Sequence, residues 1–331
     1  MATLALYTVD VGVASQRAFT GNPAAVCLVA TDLRLTREQM GLVAEEMNLS
    51  DTAFVQPLFR PDEPAYLDGR TEYTRATHFG LRWFTPKLEV RLCGHATLAA
   101  AHVLFNELHN PATELVFVTL SGQLVVTRDA VPDGARLTLR LPVDLPHVLF
   151  NARPQPSSLL TPPEAKPLSA AKADRLRQLA EGIVATVPAP PAVRTIAYSR
   201  RFHNLIIRIS GGRSALQKFH PVFDAAVMAL GYECKLTGVA VTASVNPEQG
   251  VYDVAVRYFA PWAGIPEDPI TGSAYTTLAP FWSQHLDRPH LTVLQGGRRQ
   301  GVVYTRVDTA DPNHVYISGA TMTVIAGTLR L

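Results

Sequence analysis

The sequence predicts a mixed α/β chain in which strands dominate, arranged as two domains of similar fold. Three observations carry this reading. A chain of 331 residues is long for one small core and suits two domains of ordinary size. Short β-rich runs, separated by glycine, proline and asparagine turn signals, recur along its whole length. There is also a faint internal duplication. Arg82-Trp83-Phe84-Thr85-Pro86 leads to Gly94-His95-Ala96 and a helical pattern, and Arg257-Tyr258-Phe259-Ala260-Pro261 leads to Gly272-Ser273-Ala274 and another. The second intervening loop is three residues longer. A repeated order of strand, loop and glycine-led helix favours two copies of one fold over a chance match of aromatic motifs.

Taken in order, Leu4 to Val9 and Ala24 to Val29 are strand patterns with the turn signal Gly21-Asn22-Pro23 between them. A helix is expected from Thr36 to Met47, because Thr36 can cap it, Gln39 completes a capping box, and Met40, Val43, Ala44 and Met47 share one face. After a polar loop from Pro57 to about Thr77, Gly80 to Thr85 reads as a strand and Gly94 opens an apolar helix over Ala96 to Phe105. Strands follow at Glu114 to Thr119, Leu124 to Thr127 and Arg136 to Leu141. The segment from Pro154 to Pro191 is rich in proline and alanine, with one helix from Ser169 to Val184, and is either a linker or an insertion. Asn204 to Ile209, Gly238 to Thr242 and Val251 to Phe259 are strand patterns, a helix follows Thr271, and further strands close the chain.

Composition excludes several classes of function. Thirty basic and 28 acidic residues give a net charge of +2, spread so evenly that no patch for nucleic acid or an anionic membrane stands out. With neither a basic leader nor a long apolar run, a soluble cytosolic protein is expected. Three widely spaced cysteines argue against a disulfide framework or a zinc knuckle, so reduced thiols are expected. His78 and His102 have no partners at metal-ligand spacing, and no metal is expected.

The candidate chemistry gathers at the repeats. Gly94 and Gly272 each permit close backbone approach and precede helical N–H groups without intrahelical acceptors, so two facing starts can hold a carboxylate. The same glycines could serve only to pack helix on strand. His95 stands at the rim of that anion site; there a lowered pKa suits proton exchange, against the common reading of a satisfied structural histidine. Asp268, rather than its neighbour Glu267, is either a cap for the second helix or a proton-exchanging group with a raised pKa. Asp51, between the end of a helix and a strand-like run, reads by itself as an ordinary turn residue.

Four motifs give these residues a common context: Gly21-Asn22-Pro23-Ala24-Ala25-Val26, Asn48-Leu49-Ser50, Cys93-Gly94-His95-Ala96-Thr97 and Glu267-Asp268-Pro269-Ile270-Thr271-Gly272-Ser273-Ala274. Together, and in this order, they resemble the signatures of the PhzF family, with wording closest to its animal members. The resemblance implies a diaminopimelate-epimerase-like fold: two similar α/β domains, each wrapping a sheet around a central helix, with the site in the cleft between them. It also implies that the chain end returns to the first domain. The expected division is 1–122 with 318–331 against 123–317, and the expected assembly is a homodimer. The family's general acid/base glutamate maps onto Asp51, one methylene shorter. Its assisting histidine maps onto His95, its aspartate onto Asp268, and its substrate ligands onto Gly94, Gly272 and Ser273. A histidine common after Gly-Ser-Ala is Tyr275 here. Related racemases use two cysteines; Cys93 matches the first, no cysteine lies near Gly272 to match the second, and Cys93 therefore reads as a buried small residue.

The function that follows is cofactor-independent proton transfer on a small carboxylated substrate by an isomerase of the racemase or epimerase kind. The competing reading is a binding protein that keeps the fold with weakened catalysis, which Asp51 and Tyr275 favour.

Overall fold

The computed structural model describes residues 3–14, 17–59, 71–131, 134–152, 168–246, 250–308 and 310–331. The strands pair in two successive series built to one plan. In the first, the closing strand Thr321–Arg330 pairs antiparallel with Thr3–Val11, which pairs antiparallel with Asn22–Leu28. Asn22–Leu28 then runs parallel to Asp51–Pro57, which is antiparallel to His78–Phe84. His78–Phe84 runs parallel to Glu114–Thr119, followed antiparallel by Gly122–Val131 and Gly134–Pro142.

The second series, beginning at His147–Asn151 and ending at Asp311–Gly319, repeats the same succession of two antiparallel, one parallel, one antiparallel, one parallel and two antiparallel pairings. Each series also carries a short antiparallel spur before its glycine-led helix, Glu89–Val90 in one and Ile265–Asp268 in the other. The two series join where Gly134–Pro142 pairs with Asp311–Gly319. Every parallel pair needs a crossover, and each crossover carries a helix, as parallel geometry requires.

The two glycine-led helices hold the centre. All nine residues of Gly94–His102 are buried. Its run of Ala96, Ala99, Ala100 and Ala101 has no polar face, so it is stable only with apolar cover on every side, and its small side chains let the surrounding strands approach. That cover comes from strands at both ends of the first series, with Phe79, Trp83, Phe105 and Phe117 in the same core. His102, like His95 and Thr97, is a buried polar residue of this helix. Its ring nitrogens lie 2.7 and 3.0 Å from the hydroxyls of Thr321 and Thr323, fastening the last strand of the chain to this helix. The helix continues in a wider, π-type turn over Val103–Glu107. In the second series Gly272–Ala274 forms a tight turn that leads into Tyr275–Leu286, buried from Tyr275 to Ser283, where Trp282 Nε1 donates to Thr242 Oγ1 at 3.0 Å.

Outer helices complete the layers. Arg37–Met47 has the expected capping box and buries Met40, Val43 and Ala44. Ala170–Ala185 is capped by Ser169 and buries Leu176, Leu179, Ala180, Ile183 and Val184 against the outer face of the second series. The helices Gly212–Gln217 and Ala225–Glu233 and the strands His147–Asn151 and Val193–Tyr198 are additions to the sequence reading. The polar loop after Pro57 also contains a helical turn, Thr71–Arg75, and its residues 60–70 lie outside the described residues, as do 153–167 of the proline- and alanine-rich segment. No described helix is long and apolar enough to cross a membrane.

Candidate active site

The two helix starts meet. A Cβ added at Gly94 would stand 2.8 Å from Gly272 Cα, and one added at Gly272 would stand 2.6 Å from Gly94 Cα. Contacts this short with backbone are never tolerated, so glycine on both sides is what allows the approach. The starts of both helices, where the first N–H groups lack intrahelical acceptors, thereby lie against one another. A cleft of about 420 Å³ lies over them and brings together Asp51, His95, Asp268, Gly94, Gly272 and Ser273. All six candidate residues therefore share one cavity. Ser273 is half-buried, while Asp51, His95 and Asp268 are 6, 2 and 5 % exposed.

Asp51 is the first residue of its strand, paired with Ala24, which points its carboxyl toward the helix start. Oδ2 accepts from the Cys93 thiol at 3.2 Å, and Oδ1 is buried with no hydrogen-bond partner. Burial, then the charge of nearby Asp268, push its pKa up to about 8, while the thiol bond opposes the rise. Asp268 is also raised, to about 7, by burial against the opposing bonds from Thr271 and Asn22. Burial holds His95 neutral, with its pKa lowered to about 3. Desolvation, rather than the helix start that the sequence suggested, is the leading cause.

The proton positions follow from counting donors. Asn22 Nδ2 gives its hydrogens to Asp268 Oδ1 at 2.6 Å and to the Ile270 carbonyl at 2.8 Å, so Asn22 Oδ1 is the acceptor for Ser50 Oγ at 2.9 Å. With its hydrogen committed there, Ser50 Oγ accepts from His95 Nε2–H at 3.3 Å. His95 Nδ1 is then the lone-pair nitrogen, and it lies 3.3 Å from Cys93 Sγ. One thiol hydrogen cannot serve both Asp51 and His95. Two arrangements fit: an ionised Asp51 accepts the S–H, or a protonated Asp51 donates to sulfur while the S–H turns to His95 Nδ1.

A second chain holds Asp268 from behind. Thr271 Oγ1 donates to its Oδ2 at 2.6 Å, Gln295 Nε2 donates to Thr271 Oγ1 at 3.1 Å, and Tyr275 Oη donates to Gln295 Oε1 at 2.8 Å. Tyr275 thus stands behind Asp268 and does not line the cleft. Glu267 is engaged in an ion pair with Arg257 at 2.7 Å.

Sequence reasoning missed Asn22, Ser50, Thr271 and Gln295. The first three lie inside the recognised motifs, which is the signal that could have found them; Gln295 has none. Cys93 is buried as expected, but its sulfur touches two of the candidate groups and is no mere packing residue.

Comparison with known proteins gives a consistent picture. The family profile for phenazine biosynthesis-like proteins (PhzC-PhzF) matches residues 11–327. A human phenazine biosynthesis-like domain-containing protein is 36% identical over 317 residues, covering 95% of each chain. A Pseudomonas aeruginosa protein described as an uncharacterized isomerase is 34% identical over 313 residues, covering 95% of this chain and 94% of its own. Among solved structures, a PhzF-family protein from Enterococcus faecalis superposes with a TM-score of 0.71 at 27% identity over 100% of both chains. The fold implied by the motifs is the fold found.

Proposed function

The chain belongs to the PhzF family of phenazine biosynthesis-like proteins, and from that premise we propose that it is an isomerase moving a proton within a small carboxylated substrate, without cofactor or metal. The observation that carries this reading is the pairing of a buried, incompletely bonded carboxyl, Asp51, with two abutting helix starts in one cleft. The substrate carboxylate sits on the N–H groups at Gly94, Gly272 and Ser273, where helix dipoles also favour the negative charge that develops as the adjacent C–H ionises. Asp51 takes the proton and returns it elsewhere on the same substrate.

A pKa near 8 makes Asp51 a stronger base than an exposed carboxylate and a competent acid near neutrality. The Cys93 thiol accommodates both protonation states by turning between Asp51 and His95. His95 is held in one tautomer by Ser50, and Asp268, tied to Ser50 through Asn22, assists from the spur before the second helix. The two-domain division, with the last strand returned to the first domain, is part of this proposal and places the cleft between domains.

The test is solvent isotope exchange. Incubated in D2O with a panel of small α-substituted and β,γ-unsaturated carboxylic acids, the protein is expected to place deuterium on carbon in at least one. Asp51→Ala is expected to lower that rate by about a hundred- to ten-thousandfold. Binding of such acids with no exchange in any of them would favour the binding-protein reading, for which the shortened acid at position 51 speaks.

A further inference from the structure

We propose that Asp51, Cys93 and His95 form a three-ligand site for a borderline divalent cation, Zn2+ first of all, whose occupancy shuts off the chemistry of the cleft. The second half of this statement rests on the function proposed above; the first does not.

The donors are already grouped. One ligand atom from each residue lies within 4.8 Å of the other two, with Sγ 3.2 Å from Asp51 Oδ2 and 3.3 Å from His95 Nδ1. Around a tetrahedral zinc, bond lengths of about 2.0–2.3 Å put neighbouring donor atoms about 3.3–3.6 Å apart. The two sulfur edges already stand close to this spacing, and the remaining edge, between the carboxylate oxygen and the imidazole nitrogen, closes from at most 4.8 Å by side-chain movement.

The histidine is oriented for this role. Its Nε2–H is fixed on Ser50 Oγ at 3.3 Å, and Ser50 is fixed in turn on Asn22. This leaves the Nδ1 lone pair toward the sulfur, in the way that a ligating imidazole is held by the bond its other nitrogen makes. Asp51 supplies an independent sign. Its Oδ1 is buried and unpartnered beside the cluster, a demand for a cation or donor that the protein does not meet.

Charge and softness select the ion. A thiolate, a carboxylate and a neutral imidazole neutralise a 2+ ion, so the loaded site has no net charge in a wall where a bare charge would be costly. Sulfur and imidazole donors favour Zn2+ over Mg2+ or Ca2+, which prefer all-oxygen shells. The fourth position faces the cleft, open to water or a substrate carboxylate. Binding replaces the S–H bond by an S–metal bond and, where Asp51 carries its proton, the carboxyl O–H by an O–metal bond, and the displaced protons go to solvent, so affinity increases with pH. It also ties up both the carboxylate and the thiol on which the proposed proton transfer depends.

Co2+ is the probe, added to the full chain under reducing conditions. A thiolate-to-cobalt charge-transfer band saturating at one equivalent and removed by Zn2+ is expected. The band is expected to be absent in Cys93→Ser, retained in Cys27→Ser and Cys234→Ser, and to need about tenfold more Co2+ in Ser50→Ala, which frees the imidazole. Circular dichroism of each variant shows whether it is folded; Cys93→Ser is nearly isosteric, and Zn2+ is expected to raise the Tm of the wild type but not of this variant. No band in the wild type, or a band that survives Cys93→Ser, would overturn the site. Isotope exchange undiminished at saturating Zn2+ would overturn its inhibitory half while leaving the coordination intact. A metal-binding protein with no exchange on any acid would count against the proposed function alone.

Discussion

Asp51 and Gly238 occupy matching places in the two strand series. Each opens the strand that follows a parallel crossover, and each stands two residues before an alanine that faces the aromatic of the repeated motif, Ala53 opposite Trp83 and Ala240 opposite Tyr258. In the first series the position carries a carboxyl that reaches the cleft. In the second, a Cβ would stand 2.3 Å from the Tyr258 hydroxyl, which fills the slot and donates to Asn204 Oδ1 at 2.6 Å. The same backbone plan therefore supplies an acid on one side and packing on the other. The asymmetry of the cleft comes from side chains at equivalent strand starts.

The repeated arginines extend the comparison and offer the largest test of it. Arg82 forks onto Glu89 at 2.7 and 3.0 Å, and Arg257 onto Glu267 at 2.8 and 2.7 Å, each tying its strand to the spur before the glycine-led helix. The Arg82 side chain is 36% exposed, whereas that of Arg257 is 5% exposed and also donates to the Leu216 and Phe219 carbonyls. Arg257→Ala is expected to cost about 3–5 kcal/mol in urea unfolding, because buried acceptors lose their donor. Arg82→Ala is expected to cost about 1 kcal/mol or less. Equal losses would show that the two forks are not placed as unequally as they look.

The abutting glycines come next. Gly94→Ala and Gly272→Ala each push a methyl into opposing backbone, where no side-chain rotation can relieve it, at an expected cost of about 1–3 kcal/mol. Both are expected to weaken carboxylate binding more than their stability loss explains, measured by calorimetry on folded variants. Binding unchanged in either would separate the helix starts from anion recognition.

The paired acids make stability depend on pH in a direction that Asp51→Asn should remove. Asp51 and Asp268 keep their protons in the folded chain up to about 8 and about 7, whereas unfolded aspartates release theirs near 3.9. Between these values the folded state binds more protons than the unfolded one, so stability falls as pH rises from about 4 to 8 and levels off beyond. Asp51→Asn is expected to flatten that fall, and its Tm should exceed that of the wild type increasingly toward pH 8. Parallel Tm curves would mean that Asp51 is ionised throughout. A small effect, like that of Arg82→Ala, is expected for Tyr275→Phe. Loss of its bond to Gln295 should cost about 1 kcal/mol and, by loosening the chain behind Asp268, displace the pH profile of isotope exchange.

Much was legible because it is local. The capping box at Thr36 and Gln39, the serine cap at Ser169, the apolar all-round helix after Gly94 and the repeated Arg-aromatic-Phe motif all report what a few neighbouring residues prefer. The pairing of glycines pointed to an anion site, and the motifs led to Asp51, His95, Asp268 and Ser273. What stayed hidden spans distance. Asn22 meets Asp268 across 246 residues, Cys93 meets Asp51 across 42, and Gln295 braces Thr271 from another strand. Two short crossover signals, for Gly212–Gln217 and Ala225–Glu233, were also too brief for periodicity to distinguish, although Asp224 caps the second.

The amino-acid sequence by itself determined most of the strands, the helices capped by Thr36 and Ser169 and the two glycine-led starts, since backbone propensity and capping act within a few residues. Only the tertiary structure decided which acid is buried, which tautomer His95 adopts and what the Cys93 sulfur touches. Those depend on desolvation and on hydrogen-bond partners that arrive from opposite ends of the chain once the strands have paired.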